Sequence, residues 1–126
     1  MKFDIMTRAD SWENIAALAR DVEDAGASGL LFTEASQVPW MMIAPAARAA
    51  PSLHHSTGIS VAFPRSPMVS AQIAWELAAN TKGKFRLGLG SQVKPHIERR
   101  YGVTFDQPAK RMRDYVLAVK ASIRAF

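Results

Sequence analysis

A small set of residues in this chain has the type and spacing to do chemistry. Gly88 and Gly90 alternate along the stretch Lys84 to Gly90. Glycine on one face of a strand leaves room for a ligand to approach the backbone. Ser91 and Gln92 follow at the strand's end, so Gly90, Ser91 and Gln92 are candidate cofactor contacts, with Ser91 as a hydrogen-bond donor. As a dinucleotide fingerprint the Gly-Leu-Gly is incomplete, because position 93 is Val where a third Gly would be needed. His96 lies in the next loop and is a candidate substrate contact. Glu34 ends the apolar run Leu30-Leu31-Phe32-Thr33, where an acid serves a helix N-terminus or an ion pair. His54-His55 falls in the turn region after Pro51-Ser52-Leu53, with no third ligand at metal-binding spacing. Arg65, beside Pro64, reads as a loop charge or a phosphate contact, and Asp4 and Arg86 as an ion pair. There is no Cys, which excludes a disulfide, a thiolate nucleophile and a Cys-ligated metal.

The elements that must position these residues alternate. Lys2 to Met6 has period two and predicts a strand. Asp10 is then a candidate N-cap with Glu13 as its capping-box partner, and Trp12, Ile15, Ala19, Val22 and Gly26 mark one helix face. Leu30 to Thr33 reads as a strand buried on both faces. Trp40 to Ala50 is helical despite Pro45. Thr57 to Phe63 is a β-branched strand, followed by Ser66-Pro67 as cap and first residue of a helix ending near Lys82-Gly83. Lys84 to Gly90 is a fourth strand, Ser91 to Gln107 a long loop, and Pro108 opens a last helix through Tyr115, Val119 and Ile123. Trp12, Trp40 and Trp75 sit in apolar helical patterns and are expected in the core.

The order βαβαβαβα predicts an α/β fold with a parallel sheet, in one domain over residues 1–126. Pattern alone leaves a small open doubly wound sheet and half of a (β/α)8 barrel both standing. At 48% hydrophobic and 21% charged, the composition supports a packed core rather than disorder. No stretch approaches the ~20 apolar residues of a membrane span, and the acid in Met1-Lys2-Phe3-Asp4 does not suit a signal peptide. The expectation is a soluble, cytoplasmic protein without membrane association. Charge is uneven. Residues 1–81 hold five basic and eight acidic side chains, net −3, and residues 82–126 hold eleven and three, net +8. The basic part carries no helix-turn-helix or RNA-recognition signature, so nucleic acid is not an expected partner.

Four segments carry a resemblance: Thr57–Pro67 (TGISVAFPRSP), Lys82–Gln92 (KGKFRLGLGSQ), His96–Val103 (HIERRYGV) and Arg111–Tyr115 (RMRDY). In order and spacing they resemble the bacterial luciferase-like monooxygenase superfamily, most closely its branch using the deazaflavin coenzyme F-420. The resemblance implies a (β/α)8 barrel, of which this chain matches the first four units, a (β/α)4 N-terminal half with outer helices. It implies an oxidoreductase or monooxygenase moving hydride to or from a small-molecule substrate, with coenzyme F-420 as cofactor and FMN as the alternative. The ring would lie at the C-terminal strand ends: Met6-Thr7, Thr33-Glu34-Ala35, Ser60 to Phe63 and Gly90-Ser91-Gln92.

By the same resemblance Glu34 is the catalytic acidic residue near the ring. Relatives often place a His beside it as a base. Here that position is Ala35, which leaves the acid/base step without an obvious agent, Gln37 being a weak substitute. Ser60-Val61 matches a bulge with a non-proline cis peptide that props the ring, making both cofactor-binding candidates. With only four units the isolated chain is expected to be weakly active or inactive. The alternative is a non-catalytic half-barrel that self-associates, through open sheet edges or an exposed apolar face, into a dimeric pseudo-barrel.

Overall fold

A computed structural model describes residues 2–8 and 10–126. The elements are β1 (Asp4–Thr7), α1 (Trp12–Asp24), β2 (Gly29–Phe32), α2 (Trp40–Ala49), β3 (His54–Thr57), β4 (Ser60–Val61), α3 (Pro67–Asn80), β5 (Phe85–Arg86), β6 (Leu89–Gly90), α4 (Lys94–Tyr101) and α5 (Pro108–Ala125). Every strand pairing is parallel. The first sheet has the order β1-β2-β3-β5, and β4 pairs with β6 in a second, two-stranded sheet.

The alternation of β2 sorts its two faces. Leu30 and Phe32 are buried against Ile15, Ala19 and Val22 of α1 and Met42, Ile43 and Ala46 of α2. Each such large side chain contributes ~1.5–3 kcal/mol on burial. Leu31 turns the other way and is only half-buried, so β2 is not sealed on both sides as its apolar run suggested. Met6, in register with Leu31, is 69% exposed on that uncovered face. A second core joins Val61, Ala62 and Phe63 to Ala71 of α3, Ile97 of α4, and Tyr115 and Val119 of α5.

Helix ends follow short-range chemistry. The α1 cap is Ser11, whose Oγ accepts from Asn14 N at 3.1 Å, while Asp10 accepts from Ser11 N at 2.7 Å. The expected Asp10–Glu13 capping box is thus displaced by one residue, a Ser being an equally good cap. Ser66 caps α3 as expected, with Val69 N donating to its Oγ at 3.2 Å.

Three expectations are corrected. The third strand starts at His54 rather than Thr57, so the histidines lie in β3 and not in a turn. The segment expected as one long loop contains α4, with Pro95 in its first turn and left-handed Gly102 (φ 64°) at its end. Those are ordinary helix punctuation, but Ile97 is its one buried residue, too few for an apolar period. Trp12 and Trp75 are exposed, and of the three tryptophans only Trp40 is buried.

Candidate functional site

The third and fourth strands both break at one level, and the break organises the site. Thr57 ends β3 and Ser60 begins β4, with Gly58–Ile59 between. Leu87–Gly88 separates β5 from β6. The Thr57 hydroxyl donates to Gly88 O at 2.7 Å and accepts from Gly88 N at 2.9 Å, so a side chain replaces the missing ladder. Pairing resumes with Ser60 N donating to Gly88 O at 2.8 Å and Ala62 N to Gly90 O at 2.9 Å. Both spacer glycines are sterically required. A Cβ on Gly58 would lie 2.1 Å from the Leu31 side chain, and one on Gly88 2.0 Å from Thr57 O. The non-proline cis peptide is Gly58–Ile59, two residues before the expected Ser60–Val61.

Glu34, just beyond β2, holds the far side of the break. Its side chain is 2% exposed. One carboxylate oxygen accepts from Arg65 Nη2 at 2.6 Å, and the other from Arg65 Nη1 at 2.8 Å and Val61 N at 2.7 Å. Ser60 Oγ at 3.4 Å and Tyr101 OH at 3.5 Å complete the shell. Arg65 also donates to Val61 O at 2.6 Å, and its guanidinium lies 5.7 Å from the centre of the Trp40 ring. Arg100 donates to the carbonyls of Ala35 and Ser36, tying α4 to the same loop. A bidentate, charge-assisted pair of this kind fixes geometry strongly. Both carboxylate oxygens face protein donors, so Glu34 acts as a salt-bridge anchor, one of the two structural roles open to it in the sequence.

The structure therefore separates the candidate residues. Glu34, Ser60 and Val61 form one network, with Ser60 and Val61 at 0% and 1% exposure. They brace the site from behind, since neither presents surface to a ligand. Gly90 joins them by its register with Val61. The space beside it is already filled, because a Cβ there would meet Ile59 at 2.9 Å. Together with Gly88 against Thr57 O, this corrects the reading of these glycines as room for a ligand: the chain itself occupies that room. Ser91 and Gln92 are half-buried beyond β6, with Ser91 Oγ donating to Gln92 O at 3.2 Å and Gln92 in the left-handed region at φ 58°. His96 is exposed on α4, apart from the Glu34 network. Arg65, read from sequence as a loop charge or a phosphate contact, is instead the partner of Glu34, and Tyr101 and Arg100 were not read as site residues. The usable signal was Glu34 itself, since an acid expected to be buried requires a cationic partner.

The open surface lies at the C-terminal ends of β1 and β2, a depression of about 620 Å³ lined by Met6, Thr7, Arg8, Thr33 and Ala35. At the opposite end Asp4 and Arg86 form the expected ion pair, at 3.6 Å and largely exposed. Burial pushes the His55 imidazole down from its ordinary value and the Tyr115 phenol up, the latter despite its 2.7 Å hydrogen bond with Ser70.

Fold and site define a parallel α/β protein whose concave surface sits at the strand C-termini, with the strands behind it kinked and clamped. The family of luciferase-like monooxygenases matches residues 1–125, and the chain belongs to that family. It is 41% identical over 100 residues to an uncharacterised protein of Mycobacterium bovis, covering 79% of this chain and 29% of that relative. The chain thus spans under a third of the length of the curated relatives it matches. Among solved structures it superimposes with TM-score 0.80 on the FMN-bound oxygenating constituent of 3,6-diketocamphane monooxygenase from Pseudomonas putida, at 16% identity over 94% of this chain and 38% of that one. It also superimposes with TM-score 0.80 on the coenzyme F-420-dependent tetrahydromethanopterin reductase from Methanopyrus kandleri, at 22% identity over 97% of this chain and 39% of that one. No helix of the described residues is long and apolar enough to cross a membrane.

Proposed function

We propose that the chain forms the N-terminal (β/α)4 portion of a cytoplasmic luciferase-like oxidoreductase that moves hydride between a deazaflavin, coenzyme F-420, and a small organic substrate. FMN is the alternative cofactor. The observation that carries this reading is the depression at the ends of β1 and β2, in a sheet whose next strands break at Gly58 and Gly88. Thr7, Arg8 and Thr33 supply polar contacts and Met6 and Ala35 apolar ones. That mixture fits one face of a flat, polar-edged ring. The bound group would supply the redox chemistry.

The protein's part is positioning. Glu34 and Arg65 lock β4 behind the depression, and Arg100 holds the Ala35–Ser36 backbone at its rim. Ser91 and Gln92 stand at the end of β6, beyond β4, and are the cofactor contacts this reading retains, with His96 retained for substrate. Among the described residues lining the depression, Met6, Thr7, Arg8, Thr33 and Ala35, none is a carboxylate or an imidazole.

One wall of a ring site predicts weak binding. Titration of the 126-residue chain into F-420 or FMN, followed by fluorescence, should show saturable change with a dissociation constant well above 1 μM. It should be lost in Thr33→Trp, which fills the depression. No saturable change with either cofactor at millimolar protein overturns the assignment, and submicromolar affinity of a monomer overturns the one-wall geometry. A second reading, a self-associating half-barrel without catalysis, draws on the uncovered Met6 face and the unpaired sheet edges.

A further inference from the structure

The loop between β2 and α2 is tied down at one point. Residues 35–38 are all exposed. Among the described residues their only hydrogen bonds to the rest of the chain come from Arg100, whose guanidinium donates to Ala35 O and, at 2.9 Å, to Ser36 O. A planar guanidinium reaches two adjacent carbonyls at once, which a lysine ammonium does not match. Ala35 lines the depression, so this one side chain sets where part of the depression's rim lies.

Arg100 comes from α4, which starts two residues after Gln92, at the end of β6. The helix crosses the residues that end β4, burying Ile97 against Val61, Ala62 and Phe63. Beyond them Tyr101 OH lies 3.5 Å from a Glu34 carboxylate oxygen. α4 therefore bridges from the Ser91–Gln92 strand end to the loop after β2.

The bridge is built to move. α4 has eight residues, one of them buried, and no side-chain cap at its N-terminus. Gln92 before it and Gly102 after it are left-handed, at φ 58° and 64°. An element with few buried contacts opens at low cost, and residues at element ends absorb the backbone rotation.

We propose that Arg100 is a positioning residue for the cofactor site. It latches α4 onto residues 35–36, and so holds the Ala35 rim and the Ser91–Gln92 strand end at a fixed separation. When the latch opens, α4 lifts on Gln92 and Gly102 and the two sides part. The positioning role rests on the cofactor site proposed above, whereas the latch rests on the contacts alone.

The test compares the full chain with Arg100→Gln and Arg100→Lys. Arg100 is exposed, so the fold should persist, with far-ultraviolet circular dichroism as the check. Without cofactor, amide hydrogen exchange at residues 97–103 should quicken about fivefold or more in Arg100→Gln, with α1 and β2 unchanged and Arg100→Lys between. Exchange in α4 equal to wild type overturns the latch. So does an equal rise throughout the molecule, which would make Arg100 a general stabiliser. Titration with F-420 and FMN then reads the positioning. Arg100→Gln should raise the dissociation constant about fivefold, Arg100→Lys should recover part of the loss, and bound cofactor should slow α4 exchange more in wild type than in Arg100→Gln. A loosened α4 with an unchanged dissociation constant overturns the positioning role. A wild type that binds neither cofactor overturns the cofactor reading and the positioning with it, while exchange without cofactor still decides the latch.

Discussion

At the scale of single residues, the Glu34–Arg65 pair is the most consequential contact in the molecule. Two charges have left water, and each depends on the other. Removing one partner of such a pair costs about 3–5 kcal/mol because the remaining charge is stranded. Arg65→Met and Glu34→Gln should each lose stability on that scale in urea unfolding. The double variant should lose clearly less than the sum of the two, and strict additivity would show that the pair does not couple. A second residue-scale prediction concerns pH. His55 is 1% exposed, Ala50 O lies 3.3 Å from its Nε2, and burial holds its pKa below the ordinary 6.5. As pH falls through about 6.5 the unfolded chain takes up this proton first, so stability drops from there downward until the folded imidazole also titrates. Unfolding midpoints measured from pH 7.5 to 5 should decline in the wild type. They should decline less in His55→Gln, whatever that variant's absolute stability.

At the scale of elements, the break in the third and fourth strands is a single joint. The Thr57 hydroxyl makes two hydrogen bonds across it, beside that of Ser60 N to Gly88 O, and Gly88 gives the clearance. Thr57→Val keeps the shape but strands Gly88 N, while Gly88 O keeps Ser60 N as donor, and should cost about 1–3 kcal/mol. Gly88→Ala should be worse, because its methyl would overlap a backbone carbonyl rather than a movable side chain. If Gly88→Ala proves neutral in thermal unfolding, the joint is not packed as described. Ser66→Ala removes the α3 cap and should cost ~1 kcal/mol, leaving the joint intact. The alternation of strands and helices was legible because each helix with an apolar stripe announces its period. The joint was not, because residues 57–63 read as continuous β-branched sequence and a local pattern does not record a kink imposed by the neighbouring strand. α4 escaped notice for the converse reason: its ends were marked by Pro95 and Gly102, but its middle carries only Ile97 toward the core.

At the scale of the whole molecule, the helix side of the sheet is packed and the opposite face is bare at Met6. The candidate cofactor site lies on that bare face, at the end of β1. A Met6→Glu substitution would put a charge in the depression and should weaken cofactor binding. Far-ultraviolet circular dichroism should stay unchanged, because Met6 is 69% exposed, and this separates lost binding from lost fold.

The amino-acid order by itself determined the parallel α/β alternation, the Ser66 cap, the resemblance that the family match bears out, and the presence of an acid after β2. Each of these is written in spacing along the chain, where neighbours in sequence are neighbours in space. Only the tertiary structure decided that Glu34 is spent on Arg65, that Ser60 and Val61 lie behind the surface, and that Gly88 and Gly90 make room for the chain itself. Those outcomes depend on which groups meet at sequence separations of 26 to 31, and burial alone decides whether a polar side chain faces a ligand or another part of its own fold.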